Sequence, residues 1–194
     1  MMMTTIKQER KKINKLIQRD NRNNQTIDGF YQQALSIIGN HLQEFYNEYA
    51  DDNGLTLNQV SQQVNSWDIQ SFYQAIDEML ANASPSDKLS KRLQAIFAQA
   101  SISRRDMLGA MIGAGMSIAT ANSESFAVNE LKQQYINGYE DSSPNKLTPV
   151  PAKVANQAEY SQRIWVHGDV MTTRMKETLN KGISRSEERF SRNA

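Results

Sequence analysis

The residues of this 194-residue chain that could do chemistry are few and widely spaced. Asp51-Asp52-Asn53-Gly54 has the composition of a calcium loop. Such a loop needs oxygen ligands at its first, third, fifth and twelfth positions around a glycine at the sixth. With Gly54 at the sixth position, Tyr49 falls at the first and Val60 at the twelfth, and neither supplies a carboxylate. The segment therefore reads as a turn. Gly109, Gly113 and Gly115 evoke a phosphate-binding loop, but no strand precedes them and no Gly-Lys-Ser/Thr follows. Small residues four apart instead permit close helix contact. His41 and His167 are far apart and belong to no ligand cluster, so each is expected at a surface or edge. Asp77 and Glu78 are adjacent, so they do not face each other on a helix. With no cysteine there is no thiol nucleophile, disulfide framework or cysteine-based zinc site. No catalytic residue, cofactor or metal is expected, and the chain reads as non-enzymatic.

Charge is the feature with reach. Residues 1–22 carry seven cations (Lys7, Arg10, Lys11, Lys12, Lys15, Arg19 and Arg22) against two acids. Residues 23–87 carry nine acids and no Lys or Arg. A basic head of this kind suits a polyanion such as DNA, or an acidic protein face. Phosphate contacts would be sequence-independent and salt-sensitive. The alternative is a solvated helix paired with the acidic segment that follows it.

The elements that must position these residues are helical nearly throughout. Residues 5–22 form a basic helix with Ile6, Ile13, Leu16 and Ile17 on one side, and Asn21–Asn24 is expected to break it. A second helix starts at Thr26 or Asp28, with Ile27, Phe30, Tyr31, Leu35, Ile38 and later residues recurring at three- and four-residue steps. Thr56 with Gln59 forms a capping-box pattern. Asp68 is expected to cap a helix through Leu80, and the Ser84–Asp87 linker to cap the next. Ser103 begins a helix over Met107–Thr120, followed by others over about 124–139, 152–158 and 162–183. Pro144, Pro149 and Pro151 fall in the irregular crossing between the last three. The expected class is all-α: an elongated assembly of seven to nine helices without a sheet. The longest mostly apolar run, Met107–Thr120, is shorter than the roughly 20 residues a membrane span needs. No membrane partner is expected, and nothing reads as a signal peptide.

Two stretches carry a resemblance. Phe45–Met79 holds Tyr49-Ala50, Gly54-Leu55-Thr56 and Trp67-Asp68-Ile69. Tyr160–Arg185 holds Ser161, Arg163-Ile164-Trp165 and Lys181-Gly182-Ile183. In order and spacing these resemble the minor head, or head-morphogenesis, proteins of tailed bacteriophages. The resemblance implies a low-copy structural protein of the virion, at the head interior or portal vertex, present in host cytoplasm during assembly. Its partners would be portal and capsid proteins, with packaged DNA met through the basic helix. Trp67, Asp68, Arg163, Ile164 and Trp165 become the motif residues, with Trp165 a core anchor and Arg163 a surface contact. Two other functions remain: the delivery segment of a phage-borne toxin or enzyme whose catalytic domain lies downstream, and a helical nucleic-acid-binding module.

The last ten residues, RSEERFSRNA, resemble a translated sequencing adapter. On that reading the native segment is cut near Ser184 and is formally neutral, because removing three Arg and two Glu leaves nineteen charges of each sign. The expected organisation is then a basic helix (1–22), a helical region (23–139), a proline-containing linker (140–152), the start of a head-morphogenesis domain (153–184) and a non-native tail (185–194). Its apolar helix faces would need further chain or a partner to cover them.

Overall fold

The computed structural model describes residues 6–51, 54–142 and 158–193, with side chains omitted at 139–142, 158–160 and 186–193. These contain six helices and no strand: α1 (Ile6–Tyr49), α2 (Leu57–Ser61), α3 (Ser66–Leu80), α4 (Asp87–Phe97), α5 (Arg104–Ser142) and α6 (Ala158–Asn193). The all-α expectation holds. The count is lower than seven to nine because two expected breaks are absent. The three linker prolines and the expected short helix over 152–158 lie outside the described residues, apart from Ala158, which opens α6.

The first missing break is at Asn21–Asn24, where α1 continues for 44 residues. Asn costs a helix only about 0.7 kcal/mol or less per residue, so tertiary contacts override it. Asn23 Nδ2 donates to Glu130 Oε2 on α5 (3.2 Å), and the Thr26 hydroxyl donates to the Arg22 carbonyl (3.1 Å) rather than starting a helix. The second lies between residues 120 and 124, inside α5. Here the polar residues serve the interior. Asn122 Oδ1 accepts from the Ser84 backbone N–H (2.6 Å) while its Nδ2 donates to the Asn82 carbonyl (3.2 Å), tying down the α3–α4 connection. The Ser123 hydroxyl donates to the Ala119 carbonyl (2.8 Å).

Every residue of Ala110–Ser123 is buried, so α5 is the axle of the fold. α1 runs antiparallel to it: Ile38 lies against Gly115, Tyr31 Oη is 3.3 Å from Thr120 Oγ1, and Phe30 meets Phe126 edge-on at 6.2 Å. α6 is also antiparallel to α5, from the Trp165–Glu124 contact to the Arg105–Asn180 hydrogen bond. α3 packs on α1 and α5, and α4 packs on α5. The glycines make these approaches possible. A Cβ on Gly115 would lie 2.7 Å from both Ile38 Cδ1 and Met79 Sδ, and Gly113 faces Ile96 and the Lys176 ammonium. Close packing is thus their role. α6 passes through the expected boundary at Ser184 without interruption, and Ile183 just before it is buried.

Candidate functional site

Four groups of side chains stand out. The first is the basic arm. Lys7, Arg10, Lys11, Lys12, Lys15 and Arg22 are exposed on α1, and Arg19 is half-buried with an unpartnered Nε. Ile6, Ile13, Leu16 and Ile17 beside them are exposed as well. Among the described residues the one ion pair of these cations is local, Lys12 Nζ to Glu9 Oε1 at 3.7 Å. Among the described residues none of these cations pairs with the acidic segment, whose Asp28, Glu44 and Glu48 lie further along the same helix and whose Asp68, Asp77, Glu78 and Asp87 lie on α3 and α4. Lys11 and Glu44 are 33 residues apart, about 50 Å at 1.5 Å per residue.

The second is a buried polar knot at the end of α1. Asn65 caps α3, and Asp68 sits at the third helical position. The Asn65 N–H donates to Asp68 Oδ2 (2.8 Å) and the Asp68 N–H to Asn65 Oδ1 (2.9 Å). The expected cap and its acid are therefore exchanged, because Asn65 supplies the extended residue that a cap requires. Asp68 is fully buried and pairs with Arg104 Nε at 3.0 Å. Arg104 also donates to Gln62 Oε1 (2.8 Å) and the Gln59 carbonyl (3.3 Å), and stacks on Tyr49 at 3.7 Å. Trp67 meets Tyr49 edge-on at 5.7 Å. Burial, followed by the Asp68 carboxylate, holds the Tyr49 hydroxyl above its ordinary pKa. Arg104 carried a signal in the sequence: a cation in the first turn of a helix opposes the helix dipole, so it needs a specific partner.

The third joins α4, α5 and α6. Trp165 is buried, its Nε1 donates to Glu124 Oε2 (2.7 Å), and Ser161, one turn earlier, donates to Glu124 Oε1. Lys88 Nζ and Arg92 Cζ lie 4.6 and 4.5 Å from the Trp165 ring centroid. Arg92 grips both oxygens of Asp169. Arg163 is exposed and Ile164 half-buried, and both line a cavity of about 470 Å³ between α1 and α6 together with His167, Asp28 and Tyr31. The structure thus separates Trp67 and Asp68 from the Ser161–Trp165 group.

The fourth is His41, whose expected surface position is corrected. It is 2 % exposed because it shares the core face of α1 with Ala34, Ile38 and Phe45. Its Nδ1 is 3.3 Å from Ser71 Oγ and 3.4 Å from Glu44, and its Nε2 is 3.7 Å from Glu78. His167 is exposed.

At the Asp51 turn, the Gly54 N–H donates to the Asp51 carbonyl (2.9 Å), and Gly54 takes the left-handed φ of 98° that glycine favours. Asp52 and Asn53 lie outside the described residues. Among the described residues no three His, Cys, Asp or Glu side chains converge as a metal site. None of their helices is long and apolar enough to cross a membrane. No protein-family model, curated protein or solved structure matches this chain.

Proposed function

We propose that this chain is a structural assembly protein of a tailed-bacteriophage head, a minor head protein that associates with the portal and the procapsid interior. The observation that supports this best is the arm Ile6–Arg22. It is both cationic and apolar, and both kinds of side chain are exposed on a helix continuous with the core. Such an arm is built to engage something outside its own fold, and the two motif stretches suggest what. Procapsids assembled from tailed-phage portal and capsid proteins together with this chain are expected to retain it. Shells assembled without portal are expected to lose it. Equal retention in both, or none in either, would sink the reading.

The exposed cations also favour a second reading, sequence-independent binding of DNA. Binding of the full chain to duplexes of unrelated sequence should weaken steeply with salt. Changing Lys7, Lys11 and Lys15 to Gln should lower the affinity and flatten the salt slope. Salt-independent binding, or none, would exclude this role.

A further inference from the structure

α1 carries two adjoining apolar stripes: the fold buries one and, of the other, uses Leu42, which packs partly buried against the core. Tyr31, Ala34, Ile38, His41 and Phe45 form the buried one. The second comprises Ile6, Ile13, Ile17, Leu35, Leu42 and Tyr46, which at about 100° per residue share an arc of about 60°. Five of these six are exposed, by 76, 53, 52, 38 and 46 % in chain order with Leu42 left out. Asn24 and Asp28 fall in the same arc, and Gly39 lies just beside it. Through these positions its steps alternate between seven and four residues, an eleven-residue period that drifts about 20° per repeat on a straight helix.

The stripe is also symmetric about a point midway between Asn24 and Asp28. A second α1 laid beside it in reverse matches Ile6 with Tyr46, Ile13 with Gly39, and Ile17 with Leu35. Gly39 offers a notch for Ile13, since a Cβ there would meet nothing within 4 Å.

The receiving surface is grooved. α1 and α6 both lie against α5, and the furrow between them holds two cavities of about 470 and 430 Å³. The first is walled by Ile27, Asp28 and Tyr31 with Arg163 and His167, and the second by Gly39, Leu42 and Tyr46 with Leu179 and Ile183. From Ile27 to Tyr46 the furrow runs about 29 Å, and the arm from Ile6 to Arg22 is about 25 Å long. Charge agrees with the fit in part. Glu9 and Asp20, the two acids of the arm, lie on its apolar side. The reversed register sets Asp20 opposite Gln32, at the end of the furrow where Arg163 and His167 stand. Lys11, Lys12, Lys15, Arg19 and Arg22 lie on the opposite arc and remain outside, Lys7 lies at its edge, and Arg10 falls on the apolar arc itself, opposite Leu42 in the reversed register.

We propose that the arm of one copy fills the α1–α6 furrow of a second copy, and reciprocally, in an antiparallel two-fold dimer. Such a contact is isologous: the same patch serves on both chains. It does not rest on the phage reading, and it leaves the basic arcs facing outward.

The absence of cysteine makes the test clean. Ile17→Cys and Leu35→Cys each replace an exposed side chain, and circular dichroism checks that helicity is kept. Under mild oxidation, neither variant alone should cross-link, whereas their mixture should give a disulfide-linked dimer. Sedimentation velocity of the unmodified chain should show twice the chain mass, and Ile17→Asp should weaken dimerisation about tenfold or more. Self-cross-linking of Ile17→Cys alone would mean parallel arms and would overturn the proposal. So would a monomer at all concentrations, or a mixture that fails to cross-link.

Discussion

Glu124 joins two helices through two donors, Ser161 and Trp165, spaced one turn apart on α6. This gives the serine and tryptophan of the Ser161–Trp165 motif a structural role, while Arg163 between them points elsewhere. Beside it, hydrogen bonds from Arg92 hold the Asp169 carboxyl below its ordinary pKa against the opposing effect of partial burial, with smaller help from the charges of Arg92 and Lys88. A depressed carboxyl pKa contributes stability above the unfolded value of about 3.9 and loses it as pH falls through the folded value. The pair is 34 % and 53 % exposed, so its worth is at most about 1 kcal/mol after solvent screening. Asp169→Asn should therefore lower the urea-unfolding stability slightly at pH 7. The gap between variant and parent should close in strong acid. A gap that persists there would place the loss in packing instead.

At the scale of elements, glycine positions separate tight from open helix contacts. A Cβ on Gly168 would fall against Thr120, well inside van der Waals contact. Thr120 cannot move freely, because its hydroxyl donates to the Met116 carbonyl (2.6 Å) in a wholly buried turn. Gly168→Ala is expected to cost about 1–3 kcal/mol despite alanine's better helix propensity. Gly29→Ala meets nothing within 4 Å and should stabilise the fold by up to about 1 kcal/mol. Paired thermal melts would decide, and equal shifts for the two would refute the contact. Much of this level was legible in the sequence: the Thr56 capping box, the turn at Gly54, the close approach at Gly113 and Gly115, and the burial of Trp165. The errors share a cause. Asn21–Asn24 and Asn122–Glu124 look like interruptions because their side chains are polar. Asn23, Asn122 and Glu124 instead bond to partners 107, 38 and 41 residues away, which no local window reveals. His41 was misjudged for the opposite reason, residue type outweighing its place in the periodic stripe. The cations of the arm were legible as exposed, whereas the furrow that could receive the arm needs the three-dimensional placement of α6.

For the whole molecule, the Asp68–Arg104 knot ties α5 to the end of α1, to α2 and to the start of α3. Removing one member of a buried pair leaves an uncompensated charge, which typically costs about 3–5 kcal/mol. Asp68→Ala should therefore depress the melting temperature far more than Asp169→Asn, and comparable shifts would show that the knot is not what holds these segments together.

The burial of Ala110–Ser123 on every side of α5 also sets an order of events during synthesis. α1, α3 and α4 bury their apolar faces largely on residues 107–123, which leave the ribosome after them. Chains grow at about 5–20 residues per second, so those faces wait several seconds for their common partner. During that interval the nascent chain presents sticky, half-finished helices, and neighbouring ribosomes on one message present the same ones.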